Sequence, residues 1–242
     1  MADQDNADPA LQTAEPGEAL TRRRALTAVG LLAAGSGVTA QAASSNTAPQ
    51  ATGSAVADAA PPANAVEFRA RFVQSGGFGE AFVAYGYLTK VQDLGDADLF
   101  AGTVHNETTA LFTAYASGNL AQRTLDRSVH SLDIEGSLTV YRRDFPGASF
   151  TDPNSFQVGT PVARFDLALQ DILTVFLPNR GIPTLTGAIR QTLAEKLAGA
   201  HPNRRFGRVG SSARLFATGV GDLVDPVTLN AVLEMAGNWV VE

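Results

Sequence analysis

The feature that most constrains this chain is a two-residue rhythm of apolar side chains that returns in segment after segment. Val66, Phe68, Ala70 and Phe72 alternate with Glu67, Arg69 and Arg71. Successive side chains of an extended strand point to opposite faces, so this pattern predicts a strand with one apolar and one polar side. Burying its two phenylalanines is worth roughly 3–6 kcal/mol before chain entropy is counted. The longest run covers residues 129–143, where His130, Leu132, Ile134, Gly136, Leu138 and Val140 share one face and Ser131, Asp133, Glu135, Ser137 and Thr139 the other. Residues 162–170 repeat the pattern with Ala163, Phe165, Leu167 and Leu169. Residues 80–91 are apolar on both faces, which predicts a strand covered on both sides.

Further strands are predicted over residues 110–116, ended by a turn at Gly118-Asn119, and over residues 172–177, 209–220 and 239–241. Pro146-Gly147 and Asp152-Pro153-Asn154 mark a long loop. Two segments read as helices. Over residues 188–198, Ile189, Leu193 and Leu197 recur every four residues ahead of Gly199 and Pro202. After Asp225-Pro226, a short helix carries Leu229, Leu233 and Met235 and ends at Gly237. Short strands at regular spacing with late helices predict a mainly β protein, an antiparallel barrel of about eight strands with one or two short C-terminal helices. Glycines inside strands (Gly86, Gly136, Gly210) suit the sharp bending that a barrel demands.

Ahead of that domain, Thr21-Arg22-Arg23-Arg24 precedes an apolar run over residues 28–34 and the small-residue triplet Ala40-Gln41-Ala42. A basic region, a short apolar core and a small-x-small cleavage site make an export signal. The adjacent arginines and the glycine-diluted core resemble a twin-arginine (Tat) signal. The resemblance implies passage through the Tat translocase in a folded state and a bacterial periplasmic or extracellular location. The segment is too polar and short for a membrane-spanning helix, and no later stretch is a candidate, so no transmembrane span is predicted in the mature chain. Residues 43–65, rich in Ala, Ser, Thr and Pro, read as a flexible linker. The expected organisation is a signal over residues 1–42, this linker, and one barrel domain over residues 66–242.

Composition narrows the function classes. A formal net charge of −6 disfavours a nucleic-acid partner, which would require clustered Lys and Arg. The lack of cysteine excludes disulfides, thiolate metal sites and a cysteine nucleophile. No nucleophile elbow, phosphate loop, zinc-protease motif or dinucleotide fingerprint is present, and no cofactor or metal is predicted.

Three aromatic-rich stretches that each meet a glycine resemble the calycin-type barrels of the allene oxide cyclase and dirigent group: Ala84-Tyr85-Gly86-Tyr87-Leu88, residues 111–118 (LFTAYASG) and residues 132–138 (LDIEGSL). Together they span residues 68–143, less than half of the mature chain. The resemblance implies a barrel whose lumen holds hydrophobic or phenolic small molecules, some members steering cyclisations or couplings. It carries over no catalytic residue.

The candidate chemistry comes from single positions. His130 on an apolar face needs a partner when buried and is a candidate general acid, with Arg142 on the same face at the far end. Asp133 and Glu135 stand together on the polar face of that strand, where two carboxylates in a closed space would supply acid and base. Alternation alone leaves open which face lines the lumen. Tyr85, Tyr87, Phe112 and Tyr115 are candidate ligand contacts, as are Arg142, Arg164 and Asp166, the last two spaced to share one face. His105 and Glu107 are a second possible pair, in a polar connection. These residues fit an exported barrel that binds a small apolar or aromatic molecule and guides an isomerisation or cyclisation. They fit also a non-catalytic envelope or interaction protein, and a carboxylate-dependent hydrolase or lyase. The oligomeric state is open.

Overall fold

The computed structural model describes residues 55–56, 65–75, 81–197, 201–225 and 230–241. The segment expected to be an export signal, with its expected cleavage site, and most of the expected linker lie outside these residues. The strands are β1 (Ala55–Val56), β2 (Ala65–Gln74), β3 (Ala81–Lys90), β4 (Phe112–Asp126), β5 (Val129–Arg142), β6 (Thr160–Leu177), β7 (Arg180–Ala194), β8 (Arg205–Phe206), β9 (Ser212–Asp225) and β10 (Asn230–Val241). One helical turn, α1 (Asp96–Leu99), and a 3-10 turn over Pro153–Gln157 interrupt them. Among the described residues no helix is long and apolar enough to cross a membrane.

Eight of the strands close into an antiparallel barrel in the order β10-β2-β3-β4-β5-β6-β7-β9, with β10 paired to β9 on its other side. Apart from two-residue β8, which pairs in parallel with β1, each strand lies beside its sequence neighbour, and the first barrel strand closes on the last. Full closure removes the unpaired edges that would otherwise invite pairing with other chains. The alternating apolar rows point inward: Phe68 and Phe72 from β2, Ile134 and Leu138 from β5, Leu167 and Leu169 from β6.

β3 is covered on both sides, as its sequence predicts. Its inward row meets the lumen, while Tyr85 packs outward against Phe150 and Phe156 of the β5–β6 connection. That connection forms a strap over the outer wall. Thr113 Oγ1 donates to the Phe156 carbonyl at 2.8 Å, and the buried Arg143 guanidinium donates to the carbonyls of Phe145 and Ser155. Arg71 lies over the Phe150 ring, 5.2 Å from its centre.

Both C-terminal helices are overturned. Residues 188–194 continue β7, and Leu233 and Met235 sit on the inward row of β10, which runs through Gly237. Ile189 and Leu193 do not share a face: a bulge after Gln191 sets Leu193 opposite the outward Arg164, while Gln191 keeps the inward position opposite Phe165. Its buried amide donates to the carbonyls of Leu193 and Phe206 and accepts from the Arg208 N–H. The expected turn at Gly118-Asn119 is also a strand: β4 runs on to Asp126, with Gly118 opposite Gly136. A Cβ at Gly118 would run into the Glu135 carbonyl, so the two strands approach here only because no side chain intervenes.

Candidate functional site

The two ends of the barrel differ. At the end where β2 begins, the β3–β4 and β7–β9 connections bring Val91, Leu99, Phe100, Leu197 and Phe206 into full burial and plug the opening. Asp98 and His201 clasp these two connections, Nε2 to Oδ1 at 2.9 Å. Above the plug lies an apolar chamber of about 80 Å³ walled by Phe68, Phe72, Met235 and Trp239 among others. Small inward residues, Ala84, Gly86, Ala114 and Ala116, leave this space. Phe72 and Phe82 stack at 4.8 Å, and Phe68 meets Trp239 at 5.7 Å.

Towards the other end the lumen narrows to a collar of about 40 Å³ that shares Phe72, Ile134, Leu185 and Met235 with the chamber. It then widens to a mouth of about 240 Å³ that shares Gln74, Leu120 and Leu132 with the collar. The polar side chains that line the collar and the mouth lie at this end. His130 and Arg123 line the mouth, with an Arg180–Asp222 ion pair of 2.9 Å at its lip.

Asp171 stands in the collar, 2% exposed, across from Leu132 on one neighbouring strand and Leu185 on the other. Burial pushes its carboxyl up to about 6, against the opposing hydrogen bond from the Thr184 backbone. Its Oδ1 meets no hydrogen-bond partner among the described residues. Arg123 reaches the interior because a bulge between Leu120 and Gln122 reverses the facing of the rest of β4, and its Nε is likewise buried without a partner among the described residues.

The structure separates the residues singled out from the sequence. His130 faces the mouth and Phe112 faces inward, but at the plugged end. Tyr85, Tyr87 and Tyr115 have the opposite facing: their side chains lie on the outer wall, because the inward positions of β3 and β4 are held by Ala84, Gly86, Ala114 and Ala116. Burial raises the Tyr115 hydroxyl pKa, with help from Tyr141 and Tyr85. Asp133, half-buried, and Glu135, exposed, face outward on β5, as do the exposed Arg164 and Asp166 on β6. Arg142 sits at the plugged end, paired with Asp144 at 3.0 Å and far from His130. His105 stacks on Phe100 at 4.4 Å in an exposed loop. Among the described residues no group of His, Asp and Glu is arranged to hold a metal ion.

Asp171 and Arg123 were not legible as site residues from single motifs. For Asp171 a signal existed: the inward row Ala163, Phe165, Leu167, Leu169 continues in step to position 171. No family model matches the chain, and no curated protein or solved structure matches it.

Proposed function

We propose that this is an exported barrel protein that takes a small apolar or aromatic molecule into its lumen through the His130 mouth and guides an isomerisation or cyclisation there. One observation carries the reading: an apolar chamber, a collar holding a buried carboxyl and an open mouth follow one another along the lumen. A deep apolar space with few, convergent polar groups is what a small-molecule site requires. A carboxyl that titrates near 6 can both hold and release a proton close to neutrality, which suits acid–base steering of a bound substrate. His130 is the second proton-transfer candidate. The outward Asp133 and Glu135 take no part in this reading. The export motif over residues 21–42 and the likeness to allene oxide cyclase and dirigent barrels agree with it.

The test is a thermal-stability screen of the protein against apolar and aromatic compounds. A held ligand raises Tm by linkage, and Ala84→Leu, which fills the chamber, removes that rise. A broad library that moves Tm nowhere refutes the proposal. A second reading, a non-catalytic interaction protein, draws on the outer wall near the mouth, where the half-exposed Ile182 and Val220 lie on the neighbouring β7 and β9 and Val129 lies across β6 from Ile182. In that case Ile182→Ser with Val220→Ser abolishes association measured by sedimentation and leaves ligand-induced shifts untouched.

A further inference from the structure

Two polar groups inside the lumen find no partner among the described residues, and they flank the same residue. Leu132 lies opposite Arg123 on β4 and opposite Asp171 on β6. One orphan is a donor, Arg123 Nε–H; the other is an acceptor, the Oδ1 of an ionised Asp171. Asp171 lines the collar and Arg123 the adjoining mouth, both at the level of Leu132; buried polar atoms are nearly always satisfied, so this pair of opposite kind describes the group that would complete them.

We infer that the molecule held in the lumen carries a hydroxyl group at the level of Leu132, its oxygen accepting from Arg123 Nε–H and its proton donated to Asp171 Oδ1. This rests on the lumen-binding reading above and specifies the chemical class of the ligand. Other groups fit less well. A ketone or ether only accepts, leaving the carboxylate bare. An ammonium only donates, and meets the charge of Arg123. A carboxylate is repelled by Asp171. The rest of the ligand is apolar, because the chamber below the collar offers it only the walls formed by Phe68, Phe72, Met235 and Trp239.

The proton on Asp171 makes the inference testable from a second side. Burial holds this carboxyl near 6. Above that pH it accepts and a ketone has nothing to offer it; below, it becomes a donor that a ketone can satisfy. An alcohol serves both states. Among the described residues, the other polar and charged groups facing the collar and mouth are Arg123 and Gln74, the Thr184 backbone, Asn179 and the Arg180–Asp222 pair at the lip, and His130, which lies towards the mouth opposite Leu173. His130→Gln therefore controls for the imidazole.

The experiment is calorimetric titration of the protein with ethylbenzene, 1-phenylethanol and acetophenone at pH 8 and pH 5. At pH 8 the alcohol binds about tenfold or more tightly than the other two, the cost of leaving a buried group unpaired. On moving to pH 5 acetophenone gains about tenfold, in the parent and in His130→Gln alike, while the alcohol changes little. Asp171→Leu and Arg123→Met each collapse the preference for the alcohol. Asp171→Leu removes an unpaired polar atom from an apolar collar and so retains the fold, which circular dichroism checks; Arg123→Met, on the half-buried mouth, gives the independent second variant. Ethylbenzene binding as tightly as the alcohol, or an alcohol preference that survives Asp171→Leu, overturns the inference and leaves lumen binding standing. No binding by any of the three sinks lumen binding and the inference together.

Discussion

Replacing Asp171 by Asn tests the buried carboxyl directly. Asn keeps the shape and cannot ionise, so the difference between variant and parent isolates the cost of carrying a charge in the collar. The Asp171 carboxyl moves from an ordinary 3.8 to about 6 on folding, which corresponds to about 3 kcal/mol. Its sign follows from which state binds the proton more tightly. Here the folded state does, so the favourable contribution is complete below about pH 4 and is lost as pH rises through 6. Urea titrations of both proteins should therefore diverge between pH 4 and pH 7.5, the Asn variant gaining about 3 kcal/mol on the parent. With a urea slope of about 2 kcal/mol/M, this moves the midpoint by about 1.5 M; near Tm it amounts to about 6–12 °C. Because other carboxylates titrate equally in both proteins, their contributions cancel. Parallel profiles across that range would show that Asp171 does not titrate from a buried site, and the proton-transfer role proposed for it would fail as well.

Three further outcomes are expected. Gly118→Ala drives a Cβ into the Glu135 carbonyl on the neighbouring strand and should cost about 2–3 kcal/mol in denaturant titrations, where a mere loss of turn propensity would cost little. Thr113→Val removes the buried bond to the Phe156 carbonyl and should lower stability by about 1–2 kcal/mol, with faster proteolysis of the strap and unchanged behaviour of the lumen. Burial raises the Asp98 carboxyl, but hydrogen bonds from His201 and the Gly95 N–H outweigh it and hold the carboxyl below its ordinary range. Its stabilisation is present above about pH 4 and lost as pH falls through the lower folded value, so His201→Ala should flatten part of the acid-side stability loss between pH 2 and 5, by under about 1 kcal/mol for so accessible a pair.

The barrel was legible because its inward rows are long and uninterrupted: β2, β5 and β6 each alternate over several residues, and β3 shows a second apolar face because the strap covers Tyr85 and Tyr87. Legibility fails where a polar residue is buried by specific bonds. Gln191 puts a polar residue on the inward row of β7 and the bulge after it turns Leu193 outward, so Ile189 and Leu193 fall four apart from opposite faces and the segment mimics a helix. Glycine is ambiguous in the same way, since Gly118 reads as a turn until its neighbour across the ladder, Gly136, is known. Arg123 is hidden by the bulge at Leu120, which swaps the facing of every later residue of β4. Which tyrosines meet the lumen depends on the facing of β3 and β4, and alternation without a fixed reference leaves two answers. Asp171 is different in kind, since the rhythm of β6 already places it among Leu167 and Leu169.

The ladder between Ala65–Gln74 and Asn230–Val241 joins the first barrel strand to the last. A nascent chain on the ribosome therefore holds an open, curling sheet until residues 230–241 emerge, with the edges of β2 and β9 bare until then. Such a seam places a large loop-closure cost late in folding. Premature termination before residue 230 would release a molecule with two sticky margins and no enclosed interior, a form destined for aggregation or proteolysis.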